Sequence, residues 1–196
     1  MFEIKVKVVL LGDSCVGKTT LVKNFLSDHG RLDLSLKRTI GAEISIKRSE
    51  YDIKPLGKIM FKWVIFDLAG QYIFRTVHPL YYKGAKAAIL VFDVSRKATF
   101  ENLRLWIDSF IRHVGEPRPM IIIGNKIDLR DKMPCIPKEV GEKYAEVLGK
   151  ELCVPVCYAE TSALYGINVE ESFAALARLL VEYAQRKSME RLEEQT

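Results

Sequence analysis

The stretch Gly12-Asp13-Ser14-Cys15-Val16-Gly17-Lys18-Thr19 constrains this chain more than any other. It fits G-x-x-x-x-G-K-[ST], a phosphate-binding loop. Glycines in such a loop let the backbone take positive φ angles and curl tightly. Successive N–H groups then converge on phosphate oxygens at the start of a helix. The pattern therefore demands a strand before it and a helix after it. Ile4 to Leu11 is β-branched, alternating at first and then continuously apolar, as a buried parallel strand is. Leu21, Val22, Phe25 and Leu26 recur on one helical face. Asp13, Ser14, Cys15, Val16, Gly17 and Thr20 are thus candidate nucleotide contacts. Lys18 would reach the β- and γ-phosphates, and the Thr19 hydroxyl would ligate Mg²⁺.

Further along, residues 27–40 are polar and without period, which predicts a long loop beside the phosphate site. Residues 43–53 and 58–66 read as two strands joined by a turn at 55–57. A loop and short helix fill 68–83, and 87–93 is a buried strand. Thr99 is expected to cap a helix running to about Val114. Met120 to Ile123 forms a strand ending at Gly124-Asn125. Pro137 is expected at the first position of a helix that stops near Gly149. Residues 154–158 form the last strand, and Asn168 is expected to cap the final helix, with Glu171 in capping-box position. Strands alternating with helices predict one α/β domain: a mostly parallel, doubly wound, six-stranded sheet with one antiparallel edge strand and about five helices. Ligands in such sheets sit beyond the carboxyl ends of the strands, where every motif below falls.

Asp67-Leu68-Ala69-Gly70-Gln71 follows the strand ending at Phe66. An aspartate at that place can hold Mg²⁺ through a water. Gly70, without a side chain, can bring its N–H close to a γ-phosphate, and the Gln71 amide can orient a water. Asn125-Lys126-Ile127-Asp128 carries the choice of base. The Asp128 carboxylate can accept from N1–H and the exocyclic amine of guanine, donors that adenine lacks at that edge. A site built on such bonds discriminates by about 10⁴-fold or more. Asn125 would tie this loop to the phosphate loop, and the Lys126 stem would pack on the base. In Glu160-Thr161-Ser162-Ala163, the Ala163 N–H would reach guanine O6 and Ser162 would brace Asp128.

GDSCVGKTTL, TIGAE, DLAGQ followed by FRT, YYKGA, NKIDL and ETSA stand in this order along residues 4 to 185. In them the chain resembles the Ras superfamily of small GTPases, its Rab-like branch most closely. The resemblance implies a small G-protein fold over 1–187 with a charged tail at 188–196. It implies GTP/GDP as ligand, Mg²⁺ as cofactor, and slow hydrolysis of GTP to GDP and phosphate. Gln71, Lys18 and Thr39 would be catalytic, with Thr39 meeting both metal and γ-phosphate. Residues near 29–42 and 68–82 would be switch segments ordered by GTP. Ile44, Phe66 and Tyr81 map to the exposed effector patch. Effectors, exchange factors and GTPase-activating proteins would be the partners.

Departures from the family pattern leave two readings of the activity open. No aromatic precedes Thr39 in its loop, Cys15 stands where the family prefers glycine, and Leu68 and Tyr72 flank the hydrolysis motif in place of threonine and glutamate. A hydrolysing switch is one reading; a GTP-holding module with little hydrolysis is the other. A phosphate-loop kinase would show an arginine-rich lid, which the sequence lacks. Arg38, beside Thr39, is a candidate internal arginine finger, and a solvated loop cation is the alternative.

The net charge is +5 over 196 residues, with acids and bases interleaved, so no nucleic-acid arm is expected. Four cysteines without a C-x-x-C pair read as free thiols of a cytoplasmic protein. No signal peptide and no prenylatable cysteine are read, so no direct membrane anchor is expected. A monomer is expected.

Overall fold

In the computed structural model, residues 3–27, 41–70 and 79–193 are described. Alternation along the strands decides the architecture. The order is β1 (Glu3–Leu11), α1 (Lys18–Leu26), β2 (Ala42–Ile53), β3 (Gly57–Leu68), α2 (Pro79–Tyr82), β4 (Ala87–Asp93), α3 (Lys97–Glu101), α4 (Leu103–Val114), β5 (Met120–Asn125), α5 (Lys138–Leu152), β6 (Val156–Thr161) and α6 (Val169–Glu193). The strands form one sheet in the order β2-β3-β1-β4-β5-β6. Only the β2–β3 pairing is antiparallel, as the hairpin requires; all others are parallel. This is the expected six-stranded sheet with one antiparallel edge.

β4 and β5 are buried at every residue, because helices cover both of their faces. One core layer joins Val8, Leu10, Phe61, Trp63 and Ile65 to α1 and α6. There Phe25 stacks on Phe173, with centroids 3.5 Å apart, and Trp63 meets both rings edge-on. The opposite layer packs Val9, Leu11, Leu90, Phe92 and Ile122 under Trp106, Phe110 and Leu148. This sandwich fixes the strand ends on which the site is built.

Several expectations need correction. Thr99 is not a cap: it lies buried inside α3, where its hydroxyl accepts from the Asp93 N–H and donates to the Arg96 carbonyl. The single helix expected there is two pieces, divided at Asn102; counted as one unit they leave five α-helices among the described residues. Pro137 is the N-cap of α5, and Lys138 is its first residue. α5 passes Gly149 and ends at Leu152, capped by Cys153 in left-handed geometry at φ 53°. β6 consequently begins at Val156, two residues late. Asn168 adopts φ 58° and donates its side-chain amide to the Glu160 carbonyl, so it links loop to strand end. α6 continues to Glu193, through the first residues of the charged segment from 188.

Candidate functional site

The carboxyl ends of β1, β3, β4, β5 and β6 bring the selected residues to one edge of the sheet. Residues 12–17 link β1 to α1. Gly17 sits at φ 102°, and a Cβ there would lie 2.2 Å from Asn125 Nδ2, so only glycine fits this crossing. Val16 is buried, whereas Cys15 is exposed at φ 62°, a region that L side chains enter at some strain. Thr20 is the third residue of α1.

Lys18, the first residue of α1, is buried, and its ammonium donates to the Gly12 and Asp13 carbonyl oxygens at 2.8 Å each. Burial pushes its pKa down to about 8, and the Asp67 and Asp13 carboxylates oppose that shift. Thr19 Oγ1 donates to Asp67 Oδ2, joining the start of α1 to the end of β3. These two oxygens are hard donors of the kind that suits a small dication. Among the described residues no cluster of three His, Cys, Asp or Glu could hold a metal by itself. Gly70 passes so near the phosphate loop that a Cβ would lie 2.4 Å from the Asp13 carbonyl group.

On the far side, Asn125 is buried and fully engaged. Its Nδ2 donates to the Val16 carbonyl at 2.8 Å, while Oδ1 accepts from Thr161 Oγ1 at 3.0 Å and the Ala163 N–H at 2.9 Å. The Ala163 amide, expected to face a base, here supports Asn125. Ser162 Oγ donates to Asp128 Oδ1, the bracing expected of it. Lys126 takes φ 69° and pairs its ammonium with Asp93 Oδ2 at 2.7 Å.

Sequence reading passed over Asp93 and three ties that reach the phosphate loop, from Arg96 just before α3, Asn102 between α3 and α4, and Trp106 in α4. Asp93 is buried at the end of β4 and holds Lys126, Ser95 and Arg96. Burial alone would raise its carboxyl, yet the Lys126 ammonium and the Ser95 hydroxyl and amide hold it below its ordinary value. Arg96 continues to the Ser14 carbonyl at 3.0 Å. Asn102 and the Trp106 indole donate to the two Asp13 carboxylate oxygens at 2.7 and 2.9 Å. An aspartate ending an apolar strand was the available signal for Asp93, since it is the same signal that singled out Asp67.

Ile44 lies opposite Phe66 in the β2–β3 ladder, and the Phe66 and Tyr81 rings are 6.2 Å apart, so these three side chains are neighbours. Thr39, Gln71 and Arg38 lie outside the described residues.

A mostly parallel sheet that feeds a phosphate loop into α1, with Asp67 returning to Thr19, defines a phosphate-loop nucleotide-binding protein. The Ras family profile matches residues 7–182. Ras-related protein RABA1b of Arabidopsis thaliana is 37% identical over 189 residues, covering 96% of this chain and 81% of the relative. Human Ras-related proteins Rab-31 and Rab-8B are each 37% identical, over 89% and 95% of this chain and 82% and 83% of their own lengths. The chain belongs to the Ras family and is a Rab-like small GTPase: it binds guanine nucleotide, hydrolyses GTP, and acts as a switch. Family membership thereby favours the hydrolysing reading over the passive nucleotide holder. As in the family generally, its partners fall among effectors, exchange factors and GTPase-activating proteins. No helix among the described residues is long and apolar enough to cross a membrane.

Proposed function

We propose that this chain is a monomeric, cytoplasmic, Mg²⁺-dependent GTP/GDP switch whose chemistry runs through Lys18, Thr19, Asp67, Thr39 and Gln71. The observation carrying this reading is the convergence of Lys18, Thr19 and Asp67 at one end of the phosphate loop, with Asn125 clamping the other. Lys18 already donates to two carbonyl oxygens, so its ammonium is aimed along the loop and can transfer those bonds to β- and γ-phosphate oxygens. The backbone amides of residues 13–20 would cradle the same phosphates. Thr19 would ligate Mg²⁺ directly, Asp67 through a water, and Thr39 would be a further ligand. Bound Mg²⁺ supplies charge neutralisation on the phosphates.

Asp128, braced by Ser162, would accept from guanine N1–H and its amine, and Lys126 would lie along the base. To donate to guanine O6, the Ala163 N–H would have to give up its bond to Asn125 Oδ1. Gln71 would orient the attacking water, with Gly70 N–H near the γ-phosphate. Positioning and charge stabilisation would provide most of the rate, and without an assured arginine finger the intrinsic turnover is slow. Residues near 29–42 and 68–82 would order with GTP and relax on hydrolysis, and Ile44, Phe66 and Tyr81 would form the partner surface that reports the state. Free thiols at all four cysteines agree with a reducing compartment.

Nucleotide loading tests the site assignment: GTP against ATP, with and without Mg²⁺, followed by phosphate release from wild type and Gln71→Leu. Loading should be selective for GTP, should strengthen with Mg²⁺, and should release phosphate faster in wild type than in Gln71→Leu. Equal loading by ATP would remove the role given to Asp128. Equal release by the two proteins would remove that given to Gln71.

A further inference from the structure

The partner surface does not end at its three apolar residues. β2 and β3 send Tyr51, Ile53, Phe61, Trp63 and Ile65 to the core and their alternate residues to the opposite face. On that face Ile44 and Ile46 are 55% and 57% exposed. The ladder sets Ile44 beside Phe66, Ile46 beside Val64, and Arg48 beside Lys62. β1 extends the rows, with Lys7 opposite Val64 and Lys5 opposite Lys62. Each step of two residues advances about 7 Å along a strand, so apolar rows pass into a cationic row about 13 Å below Ile44. Lys7 bridges the two zones: its ammonium lies 4.2 Å from the Phe66 ring centroid and donates to the Lys83 carbonyl. Against Lys5, Lys7, Arg48 and Lys62, Glu3 provides one carboxylate, 2.8 Å from Arg48. Glu50, the next acid along β2, is taken by Lys58.

We propose that this face docks a protein segment whose apolar side chains meet Ile44, Ile46 and Phe66 and whose acidic side chains run on to Arg48, Lys62 and Lys5. The inference rests on the partner-surface reading above and adds the charge of the partner and its direction along the strands. Exposed isoleucines beside a half-buried ring supply the desolvated contact, while the cationic row selects acidic segments and speeds their encounter. Basic segments with the same apolar anchors are rejected by like charge.

The test is selection from a display library of random 20-residue segments (length chosen as roughly that of a docked helix). The bait is the full chain loaded with GDP or with a non-hydrolysable GTP analogue and Mg²⁺. Binders eluted by competition with a surface-directed antibody fragment would not locate the face, so each is retested on Ile44→Ala and on the double variant Arg48→Glu, Lys62→Glu. Enriched binders are expected to carry excess Asp and Glu on one side of an apolar cluster. They should weaken by about ten-fold or more on the double variant and on raising salt. No charge bias, indifference to the double variant, or no binder sensitive to Ile44→Ala would each overturn the proposal. Binding of phosphatidylserine vesicles that the double variant abolishes, without any acidic binder, would assign the cations to a membrane and also overturn it. Acidic binders recovered equally from both nucleotide states would keep the surface and remove its proposed role in reporting the nucleotide state. State-dependent binders without acidic bias would do the reverse.

Discussion

Asn125→Ala tests whether the base loop and the phosphate loop are one mechanical unit. Asn125 makes three hydrogen bonds at 2.8, 3.0 and 2.9 Å, to Val16, Thr161 and Ala163, and is 1% exposed. A neutral hydrogen bond contributes about 1 kcal/mol net, and a buried group left unpaired costs about 1–3 kcal/mol. The Val16 carbonyl and Ala163 N–H would both lose this partner, although water entering the new space offsets part of that loss. The expected destabilisation is about 3–5 kcal/mol, or about 6–20 °C in Tm for a chain of this size. Urea unfolding at a fixed excess of GDP would measure it, with the GDP affinity of each protein determined separately so that linkage can be subtracted. Thr161→Val in both backgrounds completes a cycle: the cost of Asn125→Ala should fall by about 1 kcal/mol once the threonine hydroxyl is absent. GDP release should also accelerate, because the Val16 carbonyl would no longer be held. A loss below about 1 kcal/mol with unchanged GDP release would refute the clamp.

Three other expectations follow from neighbouring contacts. Lys18 has a folded pKa of about 8 against an ordinary 10.5, so the unfolded chain holds its proton longer and stability rises as pH climbs from about 8 to 10.5. In nucleotide-free protein, wild type should therefore gain about 3 kcal/mol over Lys18→Met across that window, and a constant difference between the two would be the contrary result. Cys15 at φ 62° should tolerate glycine within about 1 kcal/mol, whereas Cys15→Val, β-branched at positive φ, should weaken GDP binding measurably in a filter or fluorescence titration. Gly70→Ala places a Cβ 2.4 Å from the Asp13 carbonyl group, so GTP-analogue affinity should fall by about ten-fold or more; full affinity would show that the loops can part freely.

Periodicity located the elements because each strand and helix here has a one-sided or two-sided burial pattern that its apolar spacing mirrors. The ends were less legible. β6 starts two residues late because the chain must first leave α5 through Cys153 in left-handed geometry, and a cysteine gives no such signal. Thr99 looked like a cap because threonine commonly is one. Its hydroxyl instead bonds the Asp93 N–H and the Arg96 carbonyl, six and three residues back, and so ties the turn after β4 together. Within the site, the strand-end motifs were readable because phosphate, metal and base chemistry restrict residue type at fixed spacing. The supports were not. Asn102 and Trp106 reach Asp13 from 89 and 93 residues away, and either one alone reads as a surface amide or a core aromatic.

Those supports explain how one rigid edge can serve two ends of a nucleotide. Asp93 faces Lys126 on the base side and Arg96 on the phosphate side, and Arg96 continues to Ser14. Asn125 makes a second, independent bridge through Val16. The base loop and phosphate loop are thus connected by one ionic path at the rim and one neutral path in the interior. Salt screens the partly exposed arginine contact far more than the buried amide contacts. The interior bridge therefore fixes the spacing of the Asn125 loop and the phosphate loop, while the rim path adjusts how firmly Ser14 is held. The rim path reaches the phosphate loop at Ser14, next to the left-handed turn at Cys15.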